Sequence, residues 1–280
     1  MPKSPEPRYQ VAVIMTCHDR KDVTLSCLAK LRSQRDCGLE VTVYLTDDGS
    51  TDGTSEAVMK AWPGIHVLPA DGSLYWAGGM ALAEDAAWRT DPDYLVWLND
   101  DTILDEDALA RLLAISERWP DAIVVGSTRE PGKRPVSYGG FSRPGRHPQR
   151  LLRVEPEEEP RAVDTFNGNC VLVPASVRRA VGPIDGSFTM ECADIDYGFR
   201  ASEKGHQVLL APGTIGTCDI GERPTLSGGP LSRWRQLNGH KGVLPWRSQA
   251  RFLKRHSGLE WPLYFTWGYV KRLSGMSDGT

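Results

Sequence analysis

The chain has 280 residues, 40% hydrophobic and 25% charged, with 33 Lys and Arg against 36 Asp and Glu. That length suits one large α/β domain or two small ones, and the charge balance excludes the basic excess of a general nucleic-acid binder. Six scattered cysteines without C-x-x-C spacing argue against a zinc site and for reduced thiols in a cytoplasmic protein. The opening MPKSPEPRYQ lacks the apolar core of a signal peptide, and no run of eighteen apolar residues predicts a membrane span.

In chain order, residues 11–16 (VAVIMT) predict a buried strand and residues 22–31 a helix with Val23, Leu25, Leu28 and Leu31 at helical spacing. Residues 41–46 (VTVYLT) predict a second strand, 52–61 a short helix and 65–68 a third strand. An Ala-rich helix over 78–88 leads to a fourth strand at 94–98, a helix at 105–118 and a fifth strand at 122–126. Such alternation argues for a mostly parallel central sheet flanked by helices, with ligands outside the carboxyl ends of its strands. The polar clusters fall there: Thr16-Cys17-His18-Asp19-Arg20 after strand one, Thr46-Asp47-Asp48-Gly49-Ser50 after strand two, and Asn99-Asp100-Asp101 after strand four.

Residues 129–161 are rich in Pro, Gly, Arg and Glu and read as a surface excursion with a hairpin near 136–141. Order resumes with a strand at 170–173, helices at 175–181 and 194–204, and a final strand at 207–210. The last sixty residues predict three basic helices, at 231–237, 247–255 and 262–273, interleaved with Trp and Tyr. The boundaries expected are one domain over 1–222, in two halves at about 11–126 and about 127–222, and a helical extension over 223–280.

Adjacent carboxylates at a strand end repel unless a cation, or a side chain acting as one, lies between them. The sequence has neither a G-x-x-x-x-G-K-[ST] loop nor a G-x-G-x-x-G turn after strand one, where TCHDR stands instead. What remains is phosphate charge neutralised by Mn²⁺ or Mg²⁺ held on Asp101, with Asp100 beside it. The plainer alternative is helix capping near Asp105.

VTVYLTDDGSTDGT resembles the nucleotide-binding signature of inverting family-2 glycosyltransferases, which have a GT-A fold. The resemblance implies that Asp47 and Asp48 contact the base of a nucleotide-sugar. Asn99-Asp100-Asp101 is then similar to the D-x-D motif, with Asn99 replacing its first acid. ADGSLYWAGGMALAEDAA is similar to the glycine-rich segment that closes over the nucleoside, which brings in Gly78, Gly79 and Trp76, the last at the sugar or acceptor. The stretch from Phe166 to Pro212 resembles the acceptor-side signature, and the four pieces stand in family order between Val11 and Pro212.

The resemblance implies that Asp194, in CADIDYGFR, is the general base that takes the proton of an attacking sugar hydroxyl. Its plainer role is a helix cap. Glu191 is a rival base and acceptor-side candidate, although Cys192 and Ala193 separate the acids that relatives place side by side, and Asp196 either binds acceptor or fixes the loop. Thr16, Cys17, His18 and Arg20 line the donor side; His18 is placed to stack on or hydrogen-bond the base, and Arg20 to meet the phosphates. Relatives often supply a metal-binding His after the last strand, where GTIGTCDIGERP has none, and His240 is a weak substitute.

The expected activity is metal-dependent, inverting transfer of a sugar from a UDP, dTDP or GDP donor to a hydroxyl acceptor, either lipid-linked or soluble. The basic, aromatic tail suggests peripheral contact with a membrane's inner face, or simply packs on the catalytic domain. Two rivals stand: a sugar-phosphate nucleotidyltransferase, disfavoured by TCHDR, and a noncatalytic nucleotide-sugar-binding scaffold, kept alive by Asn99.

Overall fold

The structure is a computed structural model describing residues 8–189, 192–221, 226–238 and 245–274. The amino-terminal half alternates as the apolar runs predict. β1 (Tyr9–Cys17), α1 (Lys21–Arg32), β2 (Leu39–Asp47), α2 (Thr54–Ala61) and β3 (His66–Pro69) are followed by α3 (Tyr75–Trp88) and β4 (Tyr94–Leu98). Then come β5 (Ile103–Leu104), α4 (Ala108–Arg118) and β6 (Ile123–Arg129). α4 begins later than expected, and Asp105 does not cap it. The Leu109 amide instead donates to Gln34 Oε1 at 3.0 Å.

The excursion holds more order than one hairpin. β7 (Val136–Tyr138) pairs with β6, while β8 (Gly140–Ser142), β9 (Leu152–Arg153) and β11 (Thr165–Phe166) form a small second sheet. β10 (Arg161–Val163) edges the main sheet beside the last strand. β12 (Cys170–Pro174), α5 (Ala175–Val181), α6 (Ala193–Glu203), β13 (Val208–Thr217), α7 (Pro230–Asn238), α8 (Trp246–His256) and α9 (Trp261–Ser274) complete the chain. β13 runs seven residues past the expected end, through Pro212 and Gly213 with shifts in its pairing to β6. That overrun carries Cys218 back to the strand-four tip.

The main sheet runs β10-β13-β6-β12-β4-β1-β2-β3. β1, β2, β3 and β4 are mutually parallel, and β12 enters antiparallel between β4 and β6. Its apolar residues split into two cores, one on each face, as a sheet covered on both sides requires. Phe252 and Leu253 of α8 belong to the same core as Trp97 and Tyr197. The extension is therefore packed into the catalytic domain, not hung beside it.

The insertion of β12 shapes the site. Cys170 pairs with Leu98, so the residues just before β12 arrive at the carboxyl tip of β4. A run from distant sequence, Asn167-Gly168-Asn169, thereby lies against Asn99.

Candidate active site

At the tip of β4 the two acids find their counter-charge within the chain. The Arg20 guanidinium donates from Nη1 to Asp100 Oδ1 at 3.0 Å and from Nη2 to Asp101 Oδ2 at 2.9 Å. Asp100 is 4% exposed and also accepts from the Thr24 hydroxyl at 3.3 Å. Burial pushes its pKa up to about 6, against the pull of Arg20 and with the push of Asp101. Asp101 is more open, and the Cys218 thiol donates to its Oδ1 at 3.3 Å. Burial and Asp101 push that thiol up to about 12, so it remains a protonated donor.

Asn99 has a different task. Its Oδ1 accepts from the Trp76 indole at 2.8 Å, and its backbone amide donates to the Asn169 carbonyl at 3.0 Å. Asn169 in turn donates from Nδ2 to Cys218 Sγ at 3.3 Å. Trp76 lies over Gly168, where a Cβ would meet its ring at 2.7 Å. The Gly168 amide donates to Asp194 Oδ2 at 3.1 Å. A continuous polar chain thus joins Arg20, both acids, Cys218 and Asn169, and the neighbouring Gly168 holds Asp194.

Asp194 opens α6, half-buried, and its Oδ1 accepts from the Ile195 amide at 2.8 Å. Burial raises its pKa, opposed by the Ile195 and Gly168 amides and the Asn167 side chain. A carboxylate with raised proton affinity is a stronger base than a solvent-exposed aspartate. The helix starts on a left-handed Cys192, φ 76°. Tyr75 at the start of α3 (φ 54°) and Asp19 after β1 (φ 50°) share that sparsely populated region. Three of the four such non-glycine residues described thus surround one site, as strain at functional sites tends to do.

The strand-two acids hold loops in place. Asp47 accepts from the Ser50 amide at 2.9 Å and from the Ser55 hydroxyl. Asp48 accepts from the amides of Gly72, Leu74 and Tyr75 at 2.9, 3.3 and 2.8 Å. Each is only 4% exposed, and Asp48 fixes the entry to α3. His18 Nδ1 lies 2.6 Å from the Asp48 carbonyl, which can only accept, so Nδ1 carries a proton. The exposed ring therefore stands beside that loop.

Thr16 and Gly79 touch directly, so α3 rests on β1 at a point where a Cβ has no room. The Gly79 carbonyl accepts from the Thr46 hydroxyl at 2.7 Å. Gly78 faces Gly186, and the Ala77 amide donates to the Thr189 carbonyl at 3.0 Å, joining α3 to the loop before α6. The Cys17 side chain turns into the core, leaving its backbone toward the loops.

The acceptor role expected of Asp196 does not fit its surroundings. Asp196 is fully buried and saturated by Arg200 Nε at 2.8 Å, Arg255 Nη1 at 2.6 Å and His256 Nε2 at 2.9 Å. Burial works to raise its pKa, but those partners outweigh it and hold the carboxyl below its ordinary value. It fastens α6 to α8. Glu191 and His240 lie outside the described residues. Sequence reasoning missed the roles of Gly168, Asn169 and Thr24, and a buried Glu84 that ties α3 to Arg178 and the Ile184 amide. The small-polar run NGN before a strand was the available signal.

Residues 12–180 match the family described as glycosyl transferase family 2. The chain is 28% identical over 199 residues to the N-acetylglucosaminyl-diphospho-decaprenol L-rhamnosyltransferase of Mycobacterium tuberculosis. That match covers 61% of this chain and 64% of the relative, just under two thirds of its length. The mannosyltransferase PcManGT from Pyrobaculum calidifontis, solved with GDP-Man and Mn²⁺, superposes with a TM-score of 0.58 at 18% identity, over 97% of this chain and 74% of that one. S. aureus TarS 1-349 with UDP-GlcNAc gives 0.59 at 13% identity, over 94% and 81%. These structural likenesses speak to the fold, which is GT-A. The order of strand tips, the acid pair on β4 and the family match over more than half its length agree: the chain belongs to glycosyl transferase family 2.

Proposed function

We propose that the chain is an inverting glycosyltransferase that moves a sugar from a nucleoside-diphosphate sugar to a hydroxyl of a lipid-linked diphosphate acceptor. One observation carries this reading: Gly168 holds Asp194 while adjacent Asn169 bonds Asn99 and, through Cys218, reaches Asp101. A proton acceptor and a diphosphate-handling acid thus share one rigid junction. Asp194 takes the proton from the attacking hydroxyl, and displacement assisted by a single base inverts the anomeric centre. Trp76, fixed by Asn99, forms the wall on which the sugar or acceptor rests. That bond also accounts for Asn99 in place of an acid, which weakens the noncatalytic reading.

The donor set suits a hard divalent cation. Among the described residues no three His, Cys, Asp or Glu side chains gather as a metal-holding group. Asp101, backed by Asp100, would supply protein oxygens to such a cation, and Mg²⁺ and Mn²⁺ commonly take phosphate and water besides. When bound, such a cation neutralises charge on the leaving diphosphate. Arg20, which bridges both acids, turns toward the diphosphate when the site fills.

The acceptor class follows the named relative and the extension. Residues 223–280 carry ten Lys and Arg against two Asp and Glu, while residues 1–222 carry 23 against 34. Trp234, Trp246, Leu259, Leu263 and Trp267 are exposed on this basic extension. No helix among the described residues is long and apolar enough to cross a membrane, so the contact proposed is peripheral, with an anionic inner leaflet.

The test is transfer from UDP-, dTDP- and GDP-sugars with Mn²⁺ to an N-acetylglucosaminyl-diphospho-lipid. Asp101→Ala should lose donor binding, and Asp194→Asn should bind donor without turnover. If parent and both variants bind donor alike and none of them transfers sugar, a noncatalytic scaffold is the better account.

A further inference from the structure

A cleft of about 630 Å³ lies between the 143–150 loop and α9. One side presents Arg146, His147 and Arg150, and the other Leu263, Tyr264 and Trp267. Both arginines are exposed. Arg146 lies 3.6 Å from Glu260, which the Tyr264 hydroxyl also engages. Among the described residues Arg150 has no ion-pair partner. His147 stacks at a tilt on Tyr264, ring centres 4.3 Å apart, and its pKa is lowered by burial and by Arg150, Arg143 and Arg272. Among the described residues the cleft thus presents two exposed arginines and a half-buried histidine against one acid, Glu260.

Its other wall is apolar and wet. Leu263 is 71% exposed and Trp267 57%, which costs hydrophobic free energy unless something covers them. Inorganic diphosphate has no use for that wall, and a plain hydrocarbon none for the arginines. A molecule with a diphosphate head and an apolar tail uses both.

The cleft also communicates with the base. Gln149, on the cationic loop, donates to Gln249 Oε1 at 2.7 Å, and Gln249 Nε2 lies 3.8 Å from Cys192 Sγ. Cys192 caps the helix that opens with Asp194. We propose that this cleft is the subsite for the diphosphate and first isoprene units of a polyprenyl-diphosphate-linked acceptor. Arg146 and Arg150 meet the diphosphate; Leu263 and Trp267 meet the chain. The assignment rests on the lipid-linked acceptor reading given above.

Calorimetric titration of the full chain with farnesyl diphosphate in EDTA tests it directly. Binding should be at least tenfold tighter than that of inorganic diphosphate or farnesol, because each supplies half of the contacts. The double variant Arg146→Ala/Arg150→Ala and the single Trp267→Ala should each weaken it at least fivefold. All three side chains are exposed, so circular dichroism should match the parent's. Equal binding in parent and variants overturns the subsite, as does inorganic diphosphate binding as tightly. Phosphatidylglycerol vesicles without isoprenoid that bind as well, and lose as much in the variants, overturn it in favour of a general anionic surface. The transfer assay separates the two claims. A protein that binds farnesyl diphosphate through these residues but glycosylates no lipid-linked acceptor refutes the proposed function and leaves an isoprenoid-diphosphate site that is not an acceptor subsite. One that glycosylates a lipid-linked acceptor with the same KM in parent and variants does the reverse.

Discussion

Two acid clusters, both neutralised by arginine, behave in opposite ways. At the tip of β4, Asp100 and Asp101 share one guanidinium, and Arg20 is 44% exposed with Asp101 27% exposed. Beneath α6, Asp196 is sealed at 0% exposure among Arg200, Arg255 and His256. The open cluster can exchange its cation for another; the sealed one cannot without leaving a buried charge unpaired. Acid-rich stretches thus say little until exposure is known. One helix shows the same contrast, since Asp194 and Asp196 lie about 200° apart around its axis at 3.6 residues per turn.

The comparison is broken most forcefully at those two residues. Asp194→Asn should cut turnover by about 10³-fold, within the usual range for removing a general base, and leave the melting temperature nearly unchanged. Steady-state transfer kinetics and calorimetry on one preparation check both halves. Asp196→Ala should cost about 3–5 kcal/mol of stability in urea unfolding, because Arg200, Arg255 and His256 lose their shared partner. Equal stability loss at the two positions would abolish the distinction.

Gly168 sharpens it. A Cβ there would meet Trp76 at 2.7 Å, and overpacking of this kind costs about 1–3 kcal/mol. Gly168→Ala should also lower kcat through displaced Asp194, which a purely structural role would not do. Arg20→Ala should act only on the open cluster: bare Mn²⁺ should bind more tightly and the sugar nucleotide about tenfold more weakly, as titration with each would show.

The smallest effects lie in pH. Asp196 has a lowered pKa, so its stabilisation is present above the ordinary carboxylate value and lost as pH falls through the depressed one. Asp194 has a raised pKa, and the general base proposed for it works only when ionised, so transfer should fade as pH drops through that higher value. Activity should therefore decline at a higher pH than the Asp196 contribution to stability, visible in paired pH–rate and pH–melting profiles.

Local chemistry was legible in the sequence because it is written locally. Apolar runs marked the strands, and the acid clusters marked their carboxyl ends. The antiparallel entry of β12 was not legible, since five apolar residues do not declare their neighbours; with it went the meeting of Gly168, Asn169 and Asn99. Arg20 was expected at the phosphates, and its bridging of the acids depends on how the loop after β1 folds back. Helical spacing alone turns Asp196 away from the face of Asp194, which already favours its structural alternative over an acceptor role.

The most direct measurement is a crystal structure with Mn²⁺ and a nucleoside diphosphate. The account predicts Arg20 swung away from Asp101, a metal bound to the Asp101 carboxylate and to diphosphate oxygens, and Asp194 facing the adjoining open space beside Trp76. A nucleotide bound while Arg20 still bridges Asp100 and Asp101, or an Asp194 turned away from that space, would contradict it.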